Sequence, residues 1–499
     1  MRDKPVVLIV GAGPCGLAAA CALLRRGIRV RLLEAADEPM RGSRAVQLWP
    51  PALEVLDELG VLDEAVRRGR KVHATTYHLA GGTVFRVPLG AENEPLLLAQ
   101  EQTGQILEDA LKRLGGHVER STRVTGISVT GPTATVEARG PDGAELIEAD
   151  WLIGADGVRS TVREQLGIEF PGDPVETSFL IAEGEVEGAY EQGCVHYFLG
   201  RTGSLVFAPL RGGTVRIGAP VGRDFPLRDD AVQELLDSRG PGGLRLTGTV
   251  AISTFGSQER IATSLRAGPA FLVGDAGHTH SAVGGQGLNL GLQDVRNLVW
   301  KLAGVIDGRL DAGVLDSYDP ERRQAAEQIV RNTRQFVRMF TLGPAAARVR
   351  NTAWRTVQAT GLLRRWFVPL LAGARISYPD VLLGDDPSAP PARRGLPRIG
   401  TRVPARLNTP AVERSSRLSL LTLGAAGGAL DRRGRALAAR MPGVLAHEHR
   451  PRRRPGFVLT RPDSYVAAGG RTATELDALA WRLSGSMPAP ARAPVPPLP

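Results

Sequence analysis

The chain has 499 residues, 42% of them hydrophobic and 23% charged, a balance that points to a globular protein of two to four domains. No run of 18 apolar residues is present to cross a membrane, and three cysteines without a CxxC pair (Cys15, Cys21, Cys194) exclude a disulfide framework. The net charge of +10 comes from 62 basic residues, 58 of them arginine; outside Arg432 to Arg454 these are dispersed, and aromatics are 5%, so a solvated basic surface is expected and not a nucleic-acid interface.

The chain opens with MRDKPVVLIVGAG, an apolar strand over 6–10 that feeds a glycine loop and carries no signal-peptide cleavage pattern, so a cytoplasmic location is expected. A helix follows from Pro14 to Arg26, stopped by Gly27, and then a strand over 28–33 that ends at Glu34. Helices are predicted at 51–60 and 103–114, and antiparallel strands over 118–137 and 144–150. A short buried strand, WLIG at 151–154, precedes ADGVRS. From about 173 to 267 the pattern turns to strand alternation with glycine turns (VHYFLG, SLVFAPL, VRIGAP), a separate and mostly antiparallel sheet to which 76–97 also belongs. A buried strand at 270–273 leads into GDAGH, and helical patterns fill 287–306 and 318–375. Near 385 the composition shifts to a Pro-rich linker (385–398). A small α/β domain is expected over 399–486, and a disordered Pro/Ala-rich tail over 487–499.

Four motifs carry chemistry. Gly11, Gly13, Pro14 and Gly16 form a strand–loop–helix turn whose backbone can approach a pyrophosphate at a helix N-terminus. Glu34, at the end of the second strand, suits a ribose diol and argues for FAD or NAD over NADP. Asp156-Gly157 alone reads as a turn. Asp275, after a buried strand, stands where open α/β sheets meet their ligands. The segment Gly284-Gly285-Gln286-Gly287-Leu288-Asn289 opens a long helix, and its backbone donors suit a ring that becomes anionic. The HxH pairs His278/His280 and His447/His449 lack a third ligand at suitable spacing, so no metal site is expected.

In this order and spacing, the motifs over residues 5–390 resemble the flavoprotein monooxygenases of the aromatic hydroxylase family, which includes phenol hydroxylases and polyketide-tailoring hydroxylases. The resemblance implies an α/β fold with a Rossmann-like FAD-binding domain of the glutathione-reductase type (1–75, 98–172, 268–325). Into it a mostly antiparallel substrate sheet (76–97, 173–267) is inserted, and a helical segment follows (326–384). It implies that Gly11, Gly13, Pro14 and Gly16 hold the FAD pyrophosphate and Glu34 the adenosine ribose. Arg44, Gln100 and the backbone of Val124 would contact FAD. Asp156 would serve FAD and the nicotinamide co-substrate, and Asp275 the ribityl chain. The backbone at Gly285, Gly287, Leu288 and Asn289 would face the flavin pyrimidine edge. NAD(P)H would reduce the flavin, and dioxygen would form a C4a-hydroperoxide that hydroxylates an electron-rich ring. The expected substrate is a polycyclic, polyketide-type intermediate, bound with no side-chain base named. The weak candidates to meet it are His196, Tyr197, Phe207, Ala282 and Val283.

Residues 400–404 (GTRVP) and 461–467 (RPDSYVA) resemble the family's C-terminal thioredoxin-like extension, here without a cysteine, for which a packing or dimer-interface role is expected. The protein would be a monomer or homodimer. One departure matters: Ser281 and Ala282 stand where family members carry prolines. Two other readings therefore stay open, a redox-neutral cyclase that uses FAD structurally and a Baeyer–Villiger oxygenase on the same scaffold.

Overall fold

The structure is a computed structural model that describes residues 6–40, 45–79, 82–200, 203–280, 284–340, 349, 352–353, 360, 362–383, 395–404, 407 and 416–485. The tail at 487–499 and most of the linker at 385–398 lie outside the described residues. The chain divides into two compact units, one comprising residues 1–295 and 325–376, the other 296–324 and 377–499.

The first unit is built on a five-stranded sheet ordered Arg266–Ala267, Ala270–Leu272, Trp151–Gly154, Val7–Val10, Val30–Leu33. Its last four strands are parallel and in step: Val10 pairs with both Leu33 and Gly154, and Gly154 pairs with Leu272. The strand Val7–Val10 is buried on both faces, as its unbroken apolar run requires. Each such aliphatic side chain contributes about 1.5–3 kcal/mol on burial. The helix Pro14–Leu24 follows, with proline at its first position, where the missing N–H costs nothing. Because the strands end level, the residues after them line one edge: Gly11, Glu34, Ala155-Asp156 and Val273 to Asp275.

The alternation over 118–149 resolves into three antiparallel strands, Arg123–Thr130, Thr133–Gly140 and Gly143–Ala149. The expected first segment is split by a turn in which Gly131 takes φ +60°, a conformation glycine adopts without strain. An eight-stranded sheet is ordered His278–Thr279, Arg245–Ile261, Gly172–Glu187, Thr214–Val221, Ser204–Pro209, Cys194–Leu199, Ala74–Leu79, Thr83–Pro88. It is antiparallel except where Cys194–Leu199 runs parallel to Ala74–Leu79. The expected helix over 318–375 appears as Tyr318–Phe340 and Leu362–Leu371, with most of the residues between them outside the described set.

The second unit contains a four-stranded sheet ordered Leu445–Pro451, Leu418–Gly424, Gly456–Thr460, Val466–Gly470, with helices Ala429–Arg440 and Ala473–Gly485. Only the first pair is parallel. Beside it lies a fully buried ion network. Arg461 donates to both oxygens of Glu321 (2.6 and 2.8 Å) and to Asp463, and Lys301 donates to Glu321 at 2.8 Å. Asn297 donates to Glu321 and Asp463. Burial pushes the Lys301 ammonium down to about 8. Burial opposes the charge on Glu321 as well, but Arg461 and Lys301 overcome it and hold the carboxyl at about 2.

Removing one partner of a buried ion pair leaves an uncompensated charge. Arg461→Met leaves Asp463 with Asn297 and no cation among the described residues, and Glu321 with Lys301 and Asn297, and is expected to cost about 3–5 kcal/mol in urea unfolding. Lys301→Met leaves the paired Arg461–Glu321 contact in place and is expected to cost clearly less. The reverse ranking of unfolding midpoints would show that Lys301, and not Arg461, neutralises this cluster.

Candidate cofactor site

The edge of the parallel sheet is shaped by what cannot fit there. Gly11 takes φ +101°, and a Cβ on it would stand 2.5 Å from the Ala155 carbonyl oxygen. A Cβ on Gly16 would stand 1.9 Å from the Gly11 oxygen. These two glycines are therefore required by the fold itself. Gly13 differs: its φ of −68° suits any residue, and a Cβ there would meet no protein atom within 4 Å. The helix that starts at this point has neither a capping side chain nor an acidic residue in its first turn. Its first N–H groups have no acceptor within the helix, and its dipole is positive here. An open approach to bare amide donors fits a pyrophosphate.

Glu34 stands beside this turn. One carboxylate oxygen accepts the Ala12 N–H at 2.7 Å, the other the Ala36 N–H at 2.9 Å. Each oxygen keeps a lone pair for a hydroxyl, which suits the two hydroxyls of a ribose. The Thr122 N–H donates to the Glu34 carbonyl, which sets the strand containing buried Val124 alongside. Gln100 opens the helix Gln100–Arg113 and its Oε1 accepts the Ala45 N–H at 3.2 Å, while Arg44 lies outside the described residues.

Asp156 is held by its own loop. Its carboxylate accepts Ser160 Oγ–H at 2.6 Å and the Val162 N–H at 3.1 Å, while Ser160 caps the helix Thr161–Gln165 by accepting the Arg163 N–H. Burial pushes its carboxyl above the ordinary range against these hydrogen bonds. Arg163, which the motif reading did not single out, donates to the carbonyls of Val158 and Ala276. It thereby ties the Asp156 loop to the turn Gly274–Ala276, from which Asp275 projects as an exposed carboxylate. The arginine is legible in ADGVRSTVR only as part of a longer motif.

The fourth motif is anchored by a side chain whose backbone alone drew notice. Asn289 Oδ1 accepts the Trp49 N–H at 2.7 Å, and its Nδ2 donates to the carbonyls of Gln47 and Gly285. Trp49 Nε1 donates to the Gly284 carbonyl. This clasp holds the left-handed pair Gly284 (φ +85°) and Gly285 (φ +62°) ahead of Gly287 and Leu288, where the helix begins. Ala282 and Val283 lie outside the described residues.

The eight-stranded sheet separates the remaining candidates. His196 and Phe207 are cross-strand partners on one face, in contact with Phe198 and Tyr190. On that face Phe198 and Phe207 pack with Val232, Leu235 and Leu236 of the helix Asp229–Arg239. Tyr197 is on the other face, stacked on Tyr77 with ring centroids 5.0 Å apart. Among the described residues no group of three His, Cys, Asp or Glu side chains could hold a metal ion, and no helix is long and apolar enough to cross a membrane.

A glycine-loop α/β unit with an inserted, largely antiparallel sheet defines the class: a dinucleotide-binding protein with a second sheet built into it. The family model described as FAD binding domain matches residues 4–333. The 6-methylpretetramide 4-monooxygenase of Streptomyces rimosus is 35% identical over 362 residues, which is 70% of this chain and 64% of that one. The rifampicin monooxygenase of Streptomyces venezuelae is 33% identical over 384 residues, covering 74% of this chain and 79% of that one. The solved structure of an anhydrotetracycline hydroxylase from Streptomyces rimosus superposes with a TM-score of 0.75 at 26% identity, covering 98% of this chain and 100% of that one. The chain belongs to this FAD-binding family, and within it to the FAD-dependent monooxygenases of the aromatic hydroxylase type.

Gly13 and Gly16 separate ligand demand from packing demand. Gly13→Ala is expected to change apoprotein stability by less than about 1 kcal/mol, the range for Gly and Ala at a helix N-cap, while weakening FAD binding. Gly16→Ala is expected to destabilise the apoprotein, although helix propensity alone would favour alanine by about 1 kcal/mol. Thermal melts of apoprotein and flavin-fluorescence titrations read the two effects. Unchanged FAD affinity in Gly13→Ala would remove this loop from the pyrophosphate site.

Proposed function

We propose that this enzyme uses NAD(P)H and dioxygen to hydroxylate a neutral polycyclic aromatic intermediate of the polyketide type. The observation that carries the reading is the sheet face around Tyr77 and Tyr197. Phe367 meets Tyr77 edge-on at 6.3 Å, and Val46, Leu199, Val206 and Leu210 pack, half-buried, against the same cluster. Val46 directly precedes Gln47, which the Asn289 clasp holds, so this face stands beside the fourth motif. On the same face, beside Ala208, the buried Arg216 is neutralised by its cross-strand partner Glu183. Burial pushes the Tyr197 phenol up to about 12 and that of Tyr77 well above its ordinary value, so both stay neutral. Tyr77 is fully buried, and the half-buried Tyr197 stacked on it is the ring of this face that offers stacking area to fused rings.

FAD, when bound, supplies the hydride and oxygen chemistry. The chain supplies the pyrophosphate turn at Gly11 to Gly16, hydroxyl acceptors at Glu34 and Asp275, and helix-end donors at Gly287 to Asn289. The relatives named for tetracycline-type and rifampicin substrates support a large ring system over a simple phenol. Ser281 and Ala282, in place of the prolines implied by the family resemblance, support the redox-neutral cyclase as the second reading.

We infer that the second unit, with its four-stranded sheet of one parallel and two antiparallel pairings, is the thioredoxin-like extension the family resemblance implies; all three cysteines lie in the first unit. We infer a structural, non-redox role for this extension.

Anaerobic mixing of the FAD-loaded protein with NADPH and with NADH, followed by flavin absorbance, tests the reading. Polycyclic phenols that bind are expected to speed bleaching by at least about tenfold, as when ligand closure gates a conformational step. A flavin that stays oxidised in the presence of a ligand that shifts its spectrum would replace the hydroxylase by the redox-neutral cyclase.

A further inference from the structure

Asp294 is a fully buried carboxylate on the helix Gly287–Ile306, and it is absent from the four motifs. Its Oδ2 accepts two hydrogen bonds, from the Gly274 N–H at 2.8 Å and from His278 Nε2 at 2.7 Å. His278 is itself 2% exposed, and its Nδ1 has no partner among the described residues. The imidazole is thus committed to one contact. Gly274 takes φ +60° and opens the turn that carries Asp275. At the far end of that turn the Ala276 carbonyl accepts from Arg163. A Cβ on Gly274 or Gly291 would stand 2.9 or 2.5 Å from Cys15 Sγ, so the glycine loop packs directly against the same turn. Burial, with Asp294 and Asp275 nearby, pushes the Cys15 thiol well up and keeps it neutral.

We propose that the His278–Asp294 pair is the positioning element of the flavin site, fixing the Gly274–Ala276 turn so that Asp275 meets the polyol chain of the cofactor. The inference rests on the flavin reading above. Its physical basis is the cost of a buried carboxylate. Asp294 is tolerated where it stands because it is hydrogen-bonded, and one of the donors is the amide that starts the turn. His278 supplies the second donor and keeps Oδ2 aimed at Gly274. Neither side chain touches the ligand edge. Asp275 alone is exposed there, and both act through it.

A double-mutant cycle reads this coupling. His278→Leu removes the donor, Asp275→Ala removes the ligand contact, and the third variant carries both changes. FAD dissociation constants come from flavin fluorescence on full-length protein, with the apoprotein melt recorded beside each. Loss of a hydrogen bond to a charged group predicts about a ten- to hundredfold weaker FAD affinity for each single variant. If His278 acts through Asp275, the double variant binds within about threefold of Asp275→Ala alone, since coupled residues are not additive. Should His278→Leu fail to fold, His278→Gln, whose amide can donate in place of Nε2, takes its place and is expected to restore most of the affinity. Multiplicative losses in the double variant, or a wild-type FAD affinity in His278→Leu, would overturn the proposal and leave the flavin reading intact. A wild-type protein that binds no FAD would overturn the flavin reading itself.

Discussion

The carbonyl of Gly11 lies so close to the start of the first helix that no side chain fits at residue 16. Everything at the ligand edge depends on that approach. It lets the helix begin immediately after the strand, with its N-terminus facing the level ends of the four parallel strands. Glu34, Asp156 and Asp275 then reach the same edge because their strands are in step. A shift of one residue in any of these pairings would turn an edge side chain to the opposite face of the sheet.

Polar groups near this edge fall into two kinds. Glu34 and Asp275 keep acceptor capacity or exposure toward the edge. Asp156, Arg163, Asn289 and Asp294 each spend at least one hydrogen bond on a backbone group of their own or a neighbouring loop. Burying those groups costs several kcal/mol apiece if they are left unpaired, so each one makes its loop's position nearly obligatory. The result is a rigid scaffold holding loops that a cofactor must find already in place, which is how a site avoids ordering costs on binding.

Much of this was legible in the sequence because it rests on local pattern. The strand–glycine–helix–strand order from Val6 to Glu34, the glycine-rich start at 284 and the change to strand alternation after 173 are all short-range signals. The exact ends of elements were less legible: Arg31 and its neighbours read as one strand over 28–33, yet pairing begins at Val30. The partners across 20 to 242 residues were not legible at all. Nothing near Asn289 announces Trp49, and nothing near Asp294 announces Gly274. The only local hint was polar residues on an otherwise apolar helix (Gln293, Asp294, Arg296, Asn297, Lys301), which signals that buried polar groups must have partners but does not name them. His196, Tyr197 and Phe207 show the same limit. Composition marked all three, but only the register of His196 against Phe207 shows that Tyr197 lies on a different face from the other two.

That division bears on the substrate choice proposed above. The protein carries +10 overall, yet on the Tyr77–Tyr197 face the buried Arg216 is already paired with Glu183. Long-range attraction can raise the encounter rate with an anionic molecule, but it cannot hold one on an apolar wall against the cost of stripping its hydration. Discrimination at such a face is by shape and stacking area. Apolar contact of this kind separates ligands that differ by a methylene by only about 1–3 kcal/mol. A missing ring removes several times that area, so ring number should be read far more strongly than decoration.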